Sequence, residues 1–303
     1  MTRRQGTLSG FLGAMMWSCY GVLVVSVTRT PPFLALAIIF TCACAALLAR
    51  RAILGHGFAD LLHVPPSTLA LGVLGLFGAN CLYILALRVG GAPVTVNIAA
   101  FSWPILMVLI AVAFRLARAT WLDGAALLLG FAGVVALTLK KSGFEPGLGF
   151  FVALLGALCW ALYSAFRKSV PPGPRDSMVA FTFASAAVAW IVAATTETLA
   201  PPPALELLFL AIIGAVTVGI ANLLWDHGAL HGDSVLLAGL SFIEPVISTS
   251  LIVIFLSQPV GVGDGLGLAL ILAAVGCSLL SDRLRRKLGY ESFYFWLGRQ
   301  DDR

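Results

Sequence analysis

Ten times between residues 7 and 281 the chain runs for some twenty residues almost without charge: residues 7–28, 32–49, 67–87, 92–114, 120–139, 147–166, 177–198, 204–225, 234–257 and 263–281. A helix of about 20 apolar residues crosses the hydrocarbon core of a bilayer, whereas a barrel strand alternates apolar and polar over about ten. These runs do not alternate. The expected class is therefore all-α, a polytopic membrane protein of ten transmembrane helices. A soluble globule is excluded, because 60% of the residues are hydrophobic, 11% are charged and the mean hydropathy is +0.99.

The basic residues set an orientation. With the N-terminus inside, fifteen of the nineteen Lys and Arg fall on the cytoplasmic side, and only Arg29, Arg88, Lys140 and Lys141 fall outside. That asymmetry follows the positive-inside rule and places both termini in the cytoplasm. The net charge of +5 then reads as membrane anchoring, and no nucleic-acid partner is expected. The first run is too long for the apolar part of a signal peptide and has no small-residue cleavage pattern after it, so it is expected to stay as a helix. All six cysteines fall inside the apolar runs without a C-x-x-C spacing, which reads as packing, not disulfide or metal chemistry.

The chain also repeats itself. A shift of 143 residues lays Gly149 on Gly6, Trp160 on Trp17 and Tyr163 on Tyr20; a shift of 141 lays Phe242 on Phe101, Pro245 on Pro104 and Asp264 on Asp123. Residues 1–140 and 147–281 are thus two five-helix units, and 282–303 form a basic, aromatic cytoplasmic tail. Five is odd, so the second unit must enter the membrane from the face opposite the first. Inverted repeats of this kind build secondary transporters, with the site at the repeat interface near mid-membrane and formed by interrupted helices. The expected interruptions are Trp103-Pro104 in the fourth run and Glu244-Pro245 in the ninth.

Between Asp233 and Asp264 the only charged side chain is Glu244. A carboxyl at mid-membrane costs on the order of 2.5–3.5 kcal/mol on insertion scales and marks a pathway or a buried partner. Pro245 has no N–H, so the Ser241 carbonyl is expected to lack its helical donor, which is tolerated only inside protein or beside water. Both features predict a central cavity. Glu244 is a candidate for coupling or for structural hydrogen bonding, and Pro104 and Pro245 for gating.

Trp17, Tyr20, Tyr83, Trp103, Trp160 and Tyr163 lie deep in their runs, away from the headgroup belts where Trp and Tyr collect. They read either as cavity lining or as interhelical packing with a local hydrogen bond. Asn80, Asn97 and Asn222 are the only asparagines in the chain, and each falls within a run. An amide can meet a zwitterion without a fixed charge, or clamp two helices. Asn97 and Asn222 are the stronger candidates for substrate binding. The glycines Gly72, Gly75 and Gly78 form a ridge for close helix approach, while the featureless second run suits a lipid-facing position. Asp226, His227, His231 and Asp233 could hold a metal if a helix continued through them, but Gly228 and Gly232 argue for a polar loop. No Walker, H-E-x-x-H or G-x-S-x-G pattern is present, so neither a nucleotide site nor a cofactor is implied.

Thr7-Leu8-Ser9-Gly10 leading to Trp17-Ser18, the Trp103-Pro104 pair and the stretch from Trp225 to Asp233 give the chain a resemblance. It resembles the drug/metabolite transporter superfamily over essentially its whole length, as two EamA-type halves, and within that group the bacterial aromatic amino acid exporters. The resemblance implies ten helices, a central cavity, and export of amino acids including Phe, Tyr and Trp by alternating access across the bacterial inner membrane. Many members end the fourth and ninth spans with Gly-Glu. Here those places fall near Arg115 and at Ser257-Gln258, so no role passes to a carboxylate there. The alternatives are export of other metabolites or cationic drugs, and, from another class, an intramembrane metal-dependent enzyme built on the Asp226–Asp233 cluster. No oligomeric state follows from the residues.

Overall fold

The computed structural model describes residues 2–89, 93–138, 147–171, 173–174, 176–256 and 262–288. The linker around residues 140–146 and the aromatic part of the tail lie outside these. Among the described residues every regular element is helical. In chain order these are α1 (Arg3–Trp17), α2 (Tyr20–Val25), α3 (Pro32–Ile53), a 3-10 turn (Ala59–His63), α4 (Pro66–Val73), α5 (Ala79–Arg88), α6 (Pro93–Ala100), α7 (Trp103–Ala113) and α8 (Trp121–Thr138). Then come α9 (Leu148–Phe166), α10 (Met178–Thr196), α11 (Ala204–Ile212), α12 (Ala221–His231), α13 (Ser234–Leu240), α14 (Ile243–Leu256) and α15 (Val262–Leu288).

Seven helical stretches among these residues are long and apolar enough to cross a bilayer: Pro32–Ile53, Pro66–Arg88, Val96–Ala113, Leu148–Phe166, Met178–Thr196, Ala204–His231 and Gly265–Leu284. The protein is a multi-pass membrane protein. The remaining apolar runs are shorter or divided. α1 and α2 part at Ser18–Cys19, α8 is short, and α13 parts from α14 at Ser241–Phe242.

The helix breaks fall just ahead of the prolines. In the fourth run the turn is at Phe101–Ser102, and Pro104 then occupies the first turn of α7, where its missing N–H costs nothing. Ser102 Oγ donates to the Ala99 carbonyl at 2.6 Å, and Ser241 Oγ donates to the Ala238 carbonyl at 2.8 Å. The two breaks are built alike. The Ser241 carbonyl expected to be orphaned accepts from Glu244 N–H at 3.0 Å, a tighter turn that replaces the donor Pro245 lacks.

Two wide π-type turns, Leu74–Gly78 between α4 and α5 and Ile213–Ile220 between α11 and α12, interrupt otherwise continuous helices. Side chains take up the displaced carbonyls: Asn80 Nδ2 donates to Leu76 O and Thr217 Oγ1 to Ile213 O, each at 2.7 Å. The glycine ridge serves close approach as expected. A Cβ on Gly72 would lie 2.4 Å from the Phe181 ring, and one on Gly75 2.4 Å from Tyr163 Cβ.

The second run departs from expectation. α3 is packed over much of its surface: Phe40, Ala37 and Ala43 are fully buried and the helix packs on α10 and on the Ile213–Ile220 turn, while the stripe Thr41, Ala45 and Ala49 stays exposed. In a bilayer, lipid and a neighbouring helix are equally apolar, so composition does not tell a lipid face from a packed one. Its start is capped from afar. Pro32 has no N–H, and the next two donors, Phe33 and Leu34 N–H, go to the Glu197 carboxylate at 3.0 and 2.8 Å. Glu206 likewise gathers the 28–30 turn, accepting from Arg29 and Thr30 N–H at 2.9 Å each.

At the opposite ends of the helices, Asp233 caps α13 through Val235 and Leu236 N–H and pairs with Arg3 at 2.5 Å. Asp176 there meets Arg50 at 3.0 Å. α15 continues to Leu288, seven residues beyond the last apolar run.

Candidate functional site

Two helix ends and two helix middles bring four tryptophans together. Trp17 is the last residue of α1 before the Ser18–Cys19 break, Trp103 opens α7 after the Phe101–Ser102 break, Trp160 lies within α9 and Trp225 within α12. The ring centroids of Trp17 and Trp225 are 5.0 Å apart, Trp103 and Trp225 5.3 Å, Trp17 and Trp160 5.4 Å, and Trp17 and Trp103 6.5 Å. Three of these four contacts are edge-to-face, a preferred geometry for aromatic pairs. Trp160 then leads to Tyr163 at 5.2 Å.

The polar groups around this cluster are partly committed. Trp17 Nε1 donates to Asn222 Oδ1 at 3.0 Å, and Trp225 Nε1 to Ser164 Oγ at 3.1 Å. Tyr83 OH donates to Asn97 Oδ1 at 2.6 Å, tying α5 to α6. The amide nitrogens of Asn97 and Asn222 make no hydrogen bond to described residues, so their donors are unspent. Tyr83 is held one helical turn along α9 from Trp160, its backbone N 3.6 Å from where a Gly156 Cβ would be. Tyr20 opens α2, half-buried against the core.

Of the predicted site residues, Trp17, Trp103, Trp160, Tyr163 and Asn222 are joined in one contiguous group. Tyr83 and Asn97 form a second pair on the adjoining stretch of α9. Asn80 is spent on its own helix. Glu244 sits in the first turn of α14, half-buried, with no hydrogen bond or ion pair to its carboxyl among the described residues. Pro104 and Pro245 are both buried beside their breaks.

Beneath the tryptophans lies a buried ion pair absent from the candidates. Arg167 donates to Asp226 from Nε to Oδ1 at 2.6 Å and from Nη2 to Oδ2 at 3.2 Å, and Tyr163 OH donates to the same Oδ1. The Arg167 guanidinium also lies 5.6 Å over the Phe181 ring. Both charged side chains are at most 5% exposed.

The expected polar loop at Asp226 is therefore a correction: α12 runs unbroken to His231. Gly228 serves approach and not a turn, since a Cβ on it would sit 2.6 Å from Gly10 Cα on α1. Of the four residues weighed as metal ligands, the two carboxylates are otherwise engaged, Asp226 with Arg167 and Asp233 with Arg3 and the α13 cap. Among the described residues no three His, Cys, Asp or Glu side chains gather to hold a metal ion.

Trp225 and Arg167 are the residues that sequence reasoning missed. One signal was available for Trp225: a shift of 142 lays Asn222 on Asn80 and Trp225 on Tyr83. None was available for Arg167, whose partner lies 59 residues away.

The sequence matches the profile of the EamA-like transporter family twice, over residues 4–139 and 147–280. The chain belongs to the EamA-like transporter family. Within it, the chain is 32% identical to the aromatic amino acid exporter YddG of Ancylobacter novellus over 259 residues, covering 84% of this chain and 90% of that protein. It is 28% identical to YddG of Salmonella typhimurium and of Escherichia coli, covering 86% of this chain and 91% of each. A solved crystal structure at 30% identity superposes on this EamA-like fold with a TM-score of 0.87, covering 93% of this chain and 99% of the other.

Proposed function

We propose that this chain exports aromatic amino acids across the bacterial inner membrane by alternating access, with the four-tryptophan cluster as the wall of the substrate site. The observation that carries the reading is that cluster, two of its members held at helix breaks and its border formed by amide donors that have no partner among the described residues. Relatives named as aromatic amino acid exporters support it. An aromatic side chain would stack on Trp17, Trp103, Trp160 and Trp225, and the amides of Asn97 and Asn222 would meet the polar end.

The reading includes ten spans in two inverted five-helix halves, with both termini cytoplasmic. Three observations support this. The family profile matches each half separately. The breaks at Phe101–Ser102 and Ser241–Phe242 lie 140 residues apart and the π turns fall in corresponding helices. Packing partners also exchange between halves: α1 lies along α12, and α9, its counterpart, lies along α5, the counterpart of α12. Under the 141-residue shift Glu244 falls on Trp103, so one half offers a ring and the other an acid. No nucleotide site is implied, and the driving force is a gradient of substrate or protons, with Glu244 as the coupling group.

Purified protein in liposomes preloaded with Phe should take up labelled Phe without nucleotide, and unlabelled Tyr and Trp should compete. Equal competition by Leu, Thr and Lys would show the aromatic assignment to be too narrow. If Glu244 carries the proton, Glu244→Gln exchanges Phe at a rate that no longer changes with pH, and a variant with the wild-type pH profile removes it from that role.

A further inference from the structure

Arg167 and Asp226 join α9 to α12 directly under the tryptophans, and their geometry is unequal. The Nε–Oδ1 bond is short at 2.6 Å, and Oδ1 is held a second time by Tyr163 OH. The Nη2–Oδ2 bond is longer at 3.2 Å. The third guanidinium nitrogen, Nη1, is buried and nothing among the described residues accepts from it. So Arg167 has donors to spare on the side where its grip on Asp226 is weakest. Trp225 adjoins Asp226 in sequence and Trp160 stacks on Tyr163, which puts the ion pair against the aromatic wall.

Parting α9 from α12 without replacing this contact would leave two opposite charges buried and unpaired, a costly state. A molecule that carries both charges one carbon apart avoids that cost. We propose that Arg167 and Asp226 form a zwitterion-reading gate subsite, opened when the carboxylate of an α-amino acid takes Arg167 Nη1 and Nη2 and its ammonium takes the released Asp226 Oδ2. Tyr163 sits one turn before Arg167 at the end of α9, so its hydroxyl leaves Oδ1 together with Nε as the helices part, and the ammonium, with three donors, serves both Asp226 oxygens. The substrate's ring is then delivered onto the Trp225 face of the cluster. This inference rests on the aromatic amino acid reading above and adds the polar half of specificity. With it, a site walled by tryptophan would exclude aromatic molecules that lack one of the two charges.

The test is competition against labelled Phe exchange by Phe, by 2-phenylethylamine, which lacks the carboxylate, and by 3-phenylpropionate, which lacks the ammonium. In the wild type Phe should compete at least about tenfold better than either, the factor set by one charge-assisted hydrogen bond. In the neutral pair R167Q/D226N that preference should fall to about twofold, as the amides keep hydrogen bonds but neither charge. A folded double variant that keeps the wild-type preference overturns the proposal, as does a wild type with no preference. A wild type that does not exchange Phe at all removes the underlying reading instead. The intact gate supplies a second measurement should the double variant not fold. Ser164, 1% exposed beside the pair, is replaced by Cys in an otherwise cysteine-free chain and probed with a membrane-impermeant thiol reagent from the face bearing Arg3 and Arg50. Phe should raise labelling while the two single-charge compounds do not; equal labelling with all three overturns the proposal.

Discussion

Asp226→Ala should lower the stability of the protein by about 3–5 kcal/mol, the cost of leaving one member of a buried ion pair unpaired. Arg167 is 2% exposed and keeps its charge at any accessible pH, so removal of the carboxylate strands a guanidinium between α9 and α12. Tyr163, fully buried over Gly75, loses the acceptor for its hydroxyl in the same step. Thermal or denaturant unfolding in detergent reads the effect directly. Replacing both members by apolar residues, R167M/D226L, should restore most of the loss, because well-packed apolar pairs are often as stable as the ion pair they replace. An alanine variant that melts with the wild type would mean that the pair is reached by water and does not fasten the two helices.

Trp103→Ala should raise the concentration of Phe needed for half-maximal exchange by roughly tenfold or more, the equivalent of about 1.4 kcal/mol of lost ring contact. Trp103 stands edge-on to Trp225 and to Trp17 and is 8% exposed, so its removal opens the wall at the point where α7 begins. Because Trp→Ala in a packed interior also costs about 3–5 kcal/mol of stability, Trp103→Phe is the necessary companion. It should fold like the wild type and lose only part of the affinity. An alanine variant that stays folded and exchanges Phe with unchanged half-saturation would remove Trp103 from the site.

Much of this architecture is legible in the sequence because the bilayer simplifies the physics. Apolar runs report helices, Ser-Trp-Pro and Glu-Pro report breaks, and the glycine spacing from Gly72 to Gly78 reports close approach, each from a local pattern. The aromatic candidates are legible for a similar reason, since Trp17, Trp103 and Trp160 lie too deep for the headgroup belt. What local pattern does not carry is pairing. α3 is as apolar as a lipid-facing helix, yet much of it is packed, and nothing in its residues tells the packed side from the exposed one. Gly228 looks like a turn signal and is a contact with Gly10. Arg167 looks like one more cytoplasmic charge until α9 and α12 are seen side by side. The π turns escape the sequence too, as Asn80 and Thr217 stabilise them with bonds that an ordinary helix also permits.

The proposed antiparallel relation of the two halves would account for the meeting of Trp17 with Trp160 and for the placing of both breaks around one site. It is tested most directly by sidedness. In a cysteine-free chain, Ser142→Cys, between the halves, and Ser169→Cys, after α9, are treated in intact cells with a membrane-impermeant maleimide. Labelling at 142 alone, with 169 reacting only after the membrane is opened, is the expected result; labelling of both from the outside would contradict the inverted arrangement and the shared site built on it.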